Sequence, residues 1–353
     1  MKKLLTLGLL ALSALTAKAQ TDVTNFVPGS TLEGVNYFLP RTAFRIVVEA
    51  EKTVTTPGEL NKYAFRYLRL NDVPTQQSTE WRITRITMEP YGVPDRSKAY
   101  SVKVKSKTLA PLVSLTRDGI LLSINREAEE TFLPALPEDK PAPALQNPKK
   151  HMTQEMLAAT STAKLAELCA QEIYDIRDSR NALLRGEADN TPKDGAQLKL
   201  MLDQLALQAD ALESLFKGTT QTSTHVFSLN VTPESEGEHL IFRFSRLLGL
   251  VDADDLSGRP IYLSITNQGN LPQPVEDEVV AKKKEKMEKG IYYNVPAREA
   301  VTIHDDQQTY AKGEYSMGQF GIVELLSDAL FNKNVTTRVS FFQQTGGVEK
   351  IEQ

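Results

Sequence analysis

The sequence predicts an α+β protein in which two β-rich units flank a long antiparallel helical hairpin. Three observations lead there. Apolar residues alternate at period two through much of 34–125, the spacing turns helical over 151–218, and strand-like runs resume from about residue 219. To these is added an echo between the halves: Gly34-Val35-Asn36-Tyr37-Phe38-Leu39-Pro40 and Gly290-Ile291-Tyr292-Tyr293-Asn294-Val295-Pro296 share the pattern Gly-aliphatic-x-Tyr-x-aliphatic-Pro. Each half also closes on a similar hairpin, Val113 to Ile124 around Asp118-Gly119 and Val339 to Ile351 around Gly346-Gly347, which raises the expectation of an internal duplication.

The first element is a leader. Lys2 and Lys3 precede an apolar run from Leu4 to Thr16, and Ala17-Lys18-Ala19 supplies the small residues a signal peptidase reads, so residues 1–19 are expected to be removed on export. The run is short for a retained anchor, and no transmembrane segment is expected in the mature chain. The only cysteine is Cys169, far from where a lipid would be attached, and it leaves no internal disulfide to form. It falls in a helical pattern, where an inert buried thiol is expected.

Residues 20–131 read as the N-terminal β-rich unit. Val35 to Leu39 and Phe44 to Val48 are strand-like around Pro40, and Trp81 to Met88 and Ser101 to Lys105 alternate apolar with polar. Pro57-Gly58-Glu59 opens a short amphipathic helix, Leu60 to Leu70, expected to cross this unit. Residues 132–150 carry Pro134, Pro137, Pro141, Pro143 and Pro148, too many for helix or central strand, and predict an extended linker.

The hairpin follows over 151–218. Thr153 is the expected N-cap of a helix whose stripe includes Leu157, Ser161, Leu165, Cys169, Ile173, Ile176 and Leu183, ended by Gly186. It would be roughly 50 Å long at 1.5 Å per residue. Asp194, with Gln197 in capping-box position, opens a second helix whose stripe runs from Leu198 to Phe216 and stops at Gly218. Folding the two at the tip predicts that Arg177 faces Asp203, Ile173 faces Leu207 and Leu165 faces Leu215. A middle β segment, 219–271, contains Thr224 to Val231, a turn at Pro233 to Gly237, Leu240 to Phe244 and Ile261 to Ile265. A charged loop, 272–289, precedes the C-terminal β-rich unit, 290–353, with one short helix near Ser327 to Phe331.

Charge narrows the function classes. The chain carries 41 Lys and Arg against 45 Asp and Glu, and losing Lys2, Lys3 and Lys18 makes the mature form more acidic still. Phosphate binding demands a concentrated basic face, so nucleic acid is not an expected partner. Chemical motifs are sparse. Asp252-Ala253-Asp254-Asp255-Leu256-Ser257-Gly258 departs from a calcium loop because Leu256 interrupts the ligands and glycine falls one position late, so a polar turn is expected. The four histidines, His151, His225, His239 and His304, lack zinc spacing, and His304-Asp305-Asp306 reads as a polar turn after a strand. No glycine-rich phosphate loop occurs. No cofactor, metal site or catalytic residue is expected from motifs. Two carboxylates brought together only in space would leave no such trace.

The remaining candidate is the charged segment Gln171 to Asn181. Its polar residues read first as a solvated face with weak ion pairs. As a functional surface, Tyr174, Arg177, Asp178, Arg180 and Asn181 would form a partner-docking face on a projecting arm.

Several stretches together resemble a family of exported Bacteroidetes proteins known only as a domain of unknown function, number 4831. They are Gly34 to Pro40, Pro90 to Pro94, Leu115 to Asn125, Ala170 to Gly195, Phe242 to Gly258, Gly290 to Pro296 and Gln319-Phe320-Gly321. The resemblance implies export in Gram-negative bacteria and supplies no activity, so no functional residue is carried over. The C-terminus, Gly346 to Gln353, does not look like a dedicated secretion-signal domain, so the periplasm is expected ahead of the outer membrane or the medium. The leading expectation is a non-catalytic envelope protein that contacts an envelope protein or glycan through the hairpin or sheet edges. A carbohydrate-binding module using Trp81, Tyr91, Tyr292 and Tyr293 ranks second, and a carboxylate-dependent hydrolase third.

Overall fold

The computed structural model describes residues 22–25, 34–103, 113–189, 191–269, 271, 290–327 and 337–352. The leader 1–19, the charged loop 272–289 and all but Ser327 of the expected short helix lie outside the described residues. The rest is α+β, with three antiparallel sheets and a helical pair. No helix among the described residues is long and apolar enough to cross a membrane.

The first sheet takes its shape from a long hairpin, β2 (Val35–Thr56) with β3 (Ser78–Lys103). A short β1 (Asp22–Asn25) pairs with the end of β3, and β6 (Thr219–Val231), arriving after the helices, pairs with the other side of β2, giving the order β1-β3-β2-β6. The second sheet is built on β10 (Gly290–His304) and β11 (Thr309–Ser327). It adds β7 (Gly237–Ser245), β8 (Gly249–Val251) and β9 (Arg259–Asn267) in the order β11-β10-β9-β7-β8. The two sheets pack face to face around Phe44, Ile46 and Val48 on one side and Phe242, Leu263, Val301 and Ile303 on the other, all buried. Inward-facing positions recur at every second residue, as a strand with one buried face requires.

The expected closing hairpins form: β4 (Val113–Leu115) with β5 (Leu121–Ile124), and β12 (Arg338–Phe341) with β13 (Val348–Glu352). They join edge to edge through β5 and β12 into a third sheet, β13-β12-β5-β4. This sheet closes a second core with Tyr37, Leu39, Ile291 and Leu326, contributed by the ends of the two long hairpins.

The long strands serve both cores because they are bulged. Between Phe38 and Pro40, β3 loops out Asp95, Arg96, Ser97 and Lys98 opposite Leu39; between Val295 and Ala297, β11 loops out Gly318, Gln319, Phe320 and Gly321 opposite Pro296. Proline lacks the N–H that a continuous ladder would use, so Pro40 and Pro296 sit where pairing breaks. Across this break the Tyr37 hydroxyl accepts the Tyr292 N–H at 3.0 Å and donates to the Tyr292 carbonyl at 3.2 Å.

The helices form a third core. The short helix expected to cross the β-rich unit is a tight turn at Asn61–Tyr63 followed by α1 (Ala64–Leu68), stopped by left-handed Arg69. It packs on the hairpin instead, because Leu60, Ala64 and Leu68 share one buried cluster with Cys169, Ile173, Leu212 and Phe216. The first hairpin helix is not continuous. Thr153 caps only α2 (Gln154–Leu157), and the hydroxyl of Ser161 accepts the Lys164 N–H to cap a new helix, α3 (Thr162–Arg185). Serine competes with the helical backbone for hydrogen bonds, so a residue expected in the apolar stripe becomes a boundary. The second helix, α4 (Gly195–Lys217), is capped by Asp194 and ended by Gly218, and Gly186 ends α3, as expected.

Candidate functional site

The hairpin is fixed at one end and open at the other. Its fixed end hydrogen-bonds to the loop after β2, where Leu60 N–H donates to the Leu215 carbonyl at 2.7 Å. Gly58 and Gly218 let these backbones meet, since a Cβ at Gly58 would lie 2.2 Å from the Leu215 oxygen and one at Gly218 2.4 Å from the Thr56 oxygen. Along α4 only Ala211, Leu212, Leu215 and Phe216, all near its C-terminus, are fully buried, while Leu200 and Met201 near its N-terminus are 61% and 40% exposed. Leu184, at the end of α3, is 59% exposed.

This offset overturns the expected pairing across the hairpin. Arg177 reaches Glu213 at 2.7 Å rather than Asp203, because α4 engages α3 through its C-terminal half, where its buried residues Ala211, Leu212, Leu215 and Phe216 lie.

The five residues expected to form a docking face divide into two groups. Tyr174 donates its hydroxyl to the Tyr67 carbonyl at 2.8 Å, and the Arg177 guanidinium lies 5.4 Å from the Tyr174 ring centroid. Both therefore hold the hairpin to α1 and to itself. Asp178, Arg180 and Asn181, one turn nearer the tip, are exposed. Cys169 is buried, and burial, reinforced by Glu172, pushes its thiol up to about 11, which keeps it protonated and unreactive.

The four aromatic residues considered for glycan stacking are all half-buried, and they do not form one platform. Trp81 has its ring against Gly249, where a Cβ would lie 3.0 Å away, with His225 at 5.0 Å, Phe227 at 6.2 Å and the Lys52 ammonium at 5.6 Å between centroids or to the centroid. Beside it lies a cleft of about 720 Å³ whose lining includes Glu51, Glu80, Arg82, Arg246 and Tyr310. Its acids are tied to its bases, Glu51 with Arg82 at 2.6 Å and Glu80 with Arg246 at 3.5 Å. Tyr292 stacks on Tyr100 at 4.5 Å. Tyr293 belongs to a separate cleft of about 470 Å³, with Tyr315, Phe342, Pro90 and Pro296.

The turns behave as polar turns. Asp255 accepts the Ser257 N–H at 2.9 Å, which holds its carboxyl below the usual range, and Arg243 binds the carbonyls of Ala253 and Gly258. Asp305 accepts from the Gln307 and Gln308 N–H groups, from the Tyr310 hydroxyl and from Arg259; although burial opposes ionisation, these contacts hold the carboxyl low. Among the described residues no group of three or more His, Cys, Asp or Glu side chains is placed to hold a metal ion.

One arrangement has no trace in local motifs. The proline-rich segment is extended and lies along β6, with Lys140 and Thr224 exchanging main-chain hydrogen bonds at 2.9 and 2.8 Å. This places Asp139 beside His225, whose other ring nitrogen meets Ser223. The residues come from segments far apart in sequence, and only the alternation Ser223-x-His225 on one strand face could have hinted at them.

A family model described as a domain of unknown function, DUF4831, matches residues 33–349, nearly all of the described chain. The chain belongs to this family. The match spans both long β-hairpins and the helical hairpin between them, so the family's shared unit is the whole three-core assembly. No curated protein and no solved structure matches the chain.

Proposed function

We propose that the chain is exported and acts in the cell envelope as a protein-docking module, with the open end of the helical hairpin as its contact surface. The carrying observation is the exposure of Leu184, Leu200 and Met201 at that end, while the other end of α3 and α4 is buried in the helical core. Large apolar side chains left exposed on both helices towards one end of the hairpin suit a contact surface. Asp178, Arg180 and Asn181 supply a polar border on the same stretch of α3. Export is supported by the composition of Met1 to Ala19, and the periplasm is the compartment proposed.

We also infer that the two halves descend from one duplicated unit of a long bulged hairpin followed by a short one. Equivalent prolines and loop-outs of matching size in β2–β3 and β10–β11 support it. The short hairpins join through β5 and β12, unlike members of the two pairs, so the repeat is not related by a two-fold axis.

The docking surface is tested by a photo-crosslinking residue at Arg180 in living cells, with and without Leu184→Asp and Leu200→Asp. We expect a discrete adduct that the aspartates abolish, while the thermal midpoint changes little because exposed substitutions alter stability by less than about 0.5 kcal/mol. An adduct unchanged by both substitutions would place the contact elsewhere.

A further inference from the structure

We propose that Ser223, His225 and Asp139 form a hydrolytic triad that cleaves carboxylic esters. Ser223 Oγ lies 2.9 Å from His225 Nε2, and His225 Nδ1 lies 3.4 Å from Asp139 Oδ2. The order nucleophile, imidazole, carboxylate is the order a serine hydrolase needs, and such triads are recognised by geometry rather than by sequence position. Ser223 and His225 alternate on β6, so both project from one face of the first sheet. Both are half-exposed and therefore reachable.

The carboxylate is held in place. Asp139 Oδ1 accepts the Val226 N–H at 2.8 Å, and the next residue, Lys140, is clamped to Thr224 by a hydrogen bond in each direction. These contacts alone would fasten the proline-rich segment to β6. The serine hydroxyl at the opposite ring nitrogen adds nothing to that fastening, yet it is what a nucleophile requires. The wall of the site is Trp81, whose ring lies 5.0 Å from that of His225. Lys52 is the register partner of both Ser223 and Trp81 on the central strand, so its side chain leaves the same face, with its ammonium over the Trp81 ring. It is the cation available to a developing oxyanion.

The chemistry balances without a cofactor. Ser223 Oγ attacks the ester carbonyl carbon while His225 Nε2 takes the hydroxyl proton, and Asp139 steadies the imidazolium. Collapse of the tetrahedral adduct breaks the carbonyl–alkoxy bond, and the alcohol leaves with that proton. Water, deprotonated by His225, then splits the acyl-serine, releasing the acid and restoring Ser223.

The site is separate from the hairpin, so aspartates at Leu184 and Leu200 should leave it unaltered. The test is labelling of the full chain with a fluorophosphonate, located by peptide mass spectrometry, with p-nitrophenyl acetate hydrolysis in parallel. We expect modification at Ser223, none at that position in Ser223→Ala, and a rate at least ~100-fold lower in His225→Gln with an unchanged circular dichroism spectrum. Asp139 acts through His225 as a positioning residue. Asp139→Asn should slow labelling at least ~10-fold with an unchanged circular dichroism spectrum, and Asp139→Glu should recover part of that rate. An unmodified Ser223 in the natively folded chain, or labelling equally fast in His225→Gln, would overturn the proposal and reduce the three residues to a clip on the sheet edge.

Discussion

Glu299 is the least expected side chain in the β core. It follows Ala297 and precedes Val301 on the inward face of β10, and it is fully buried. One carboxyl oxygen accepts from Asn267 at 3.2 Å while the other has no partner among the described residues. Burial first, and the neighbouring Glu236 second, push its pKa from 4.5 up to about 7. Below the unfolded value both states hold the proton and the site is neutral. As pH rises from there to about 7 the unfolded chain releases its proton first, so stability falls across that window and stays lower above it. Glu299→Gln should remove the fall and make the protein more stable at about pH 8, by on the order of 2 kcal/mol. Urea unfolding at about pH 5 and about pH 8 reads this directly, and parallel pH slopes in both proteins would discard it. The sequence alternation placed a strand here correctly but could not show that a glutamate occupied an inward position, because Glu299 is charged in a pattern whose neighbours alone define the face.

At the scale of elements, what was legible depended on whether the signal was local. Caps were: Thr153, Asp194, Gly186 and Gly218 all end or begin helices. So were both short hairpins, whose Asp118-Gly119 and Gly346-Gly347 turns carry positive φ at Gly119 and Gly346. The break at Ser161 and the offset of α4 were not, since both are decided by competition between equally local options and by tertiary packing. The bulges were also hidden, although Pro40 and Pro296 marked their sites. Gln319, looped out of β11, supplies what the missing strand residue would: its amide oxygen accepts the Thr42 N–H at 2.8 Å and its nitrogen donates to the Thr42 carbonyl at 2.9 Å. Thr42 is fully buried, so no water can replace these bonds. Gln319→Ala should therefore cost about 2–3 kcal/mol, from a main-chain donor and acceptor left unpaired. Gln319→Glu should recover little, because a carboxylate can accept from the N–H but cannot donate to the carbonyl. Thermal midpoints of the two variants test this, and wild-type stability in either would show that the bridge is dispensable.

At the scale of the molecule, sequence segments and packed cores differ in their borders. The β-rich reading of 34–125 and of the region after 219 was correct for the described strands, but alternation within a strand says nothing about its neighbour. The partner of β2 on one side is β3; on the other it is β6, which follows the whole helical hairpin. The inward face of β2, with Phe44, Ile46 and Val48, is covered by strands that begin only at Gly237. The sheet closing the second core takes β4 and β5 from before the helices and β12 and β13 from after residue 337. Residues 20–131 made alone would thus leave the inner face of β2 and β3 in water and the β2 edge unpaired, an arrangement prone to association. We expect this fragment to show no cooperative thermal or urea transition, while the full chain shows one. Adding residues 219–353 in trans should restore the transition, since they carry β6 and the entire covering sheet. A cooperative transition in the isolated fragment would mean that the N-terminal hairpin owns enough of its core to fold unaided, and that the shared β core joins two preformed units rather than creating them.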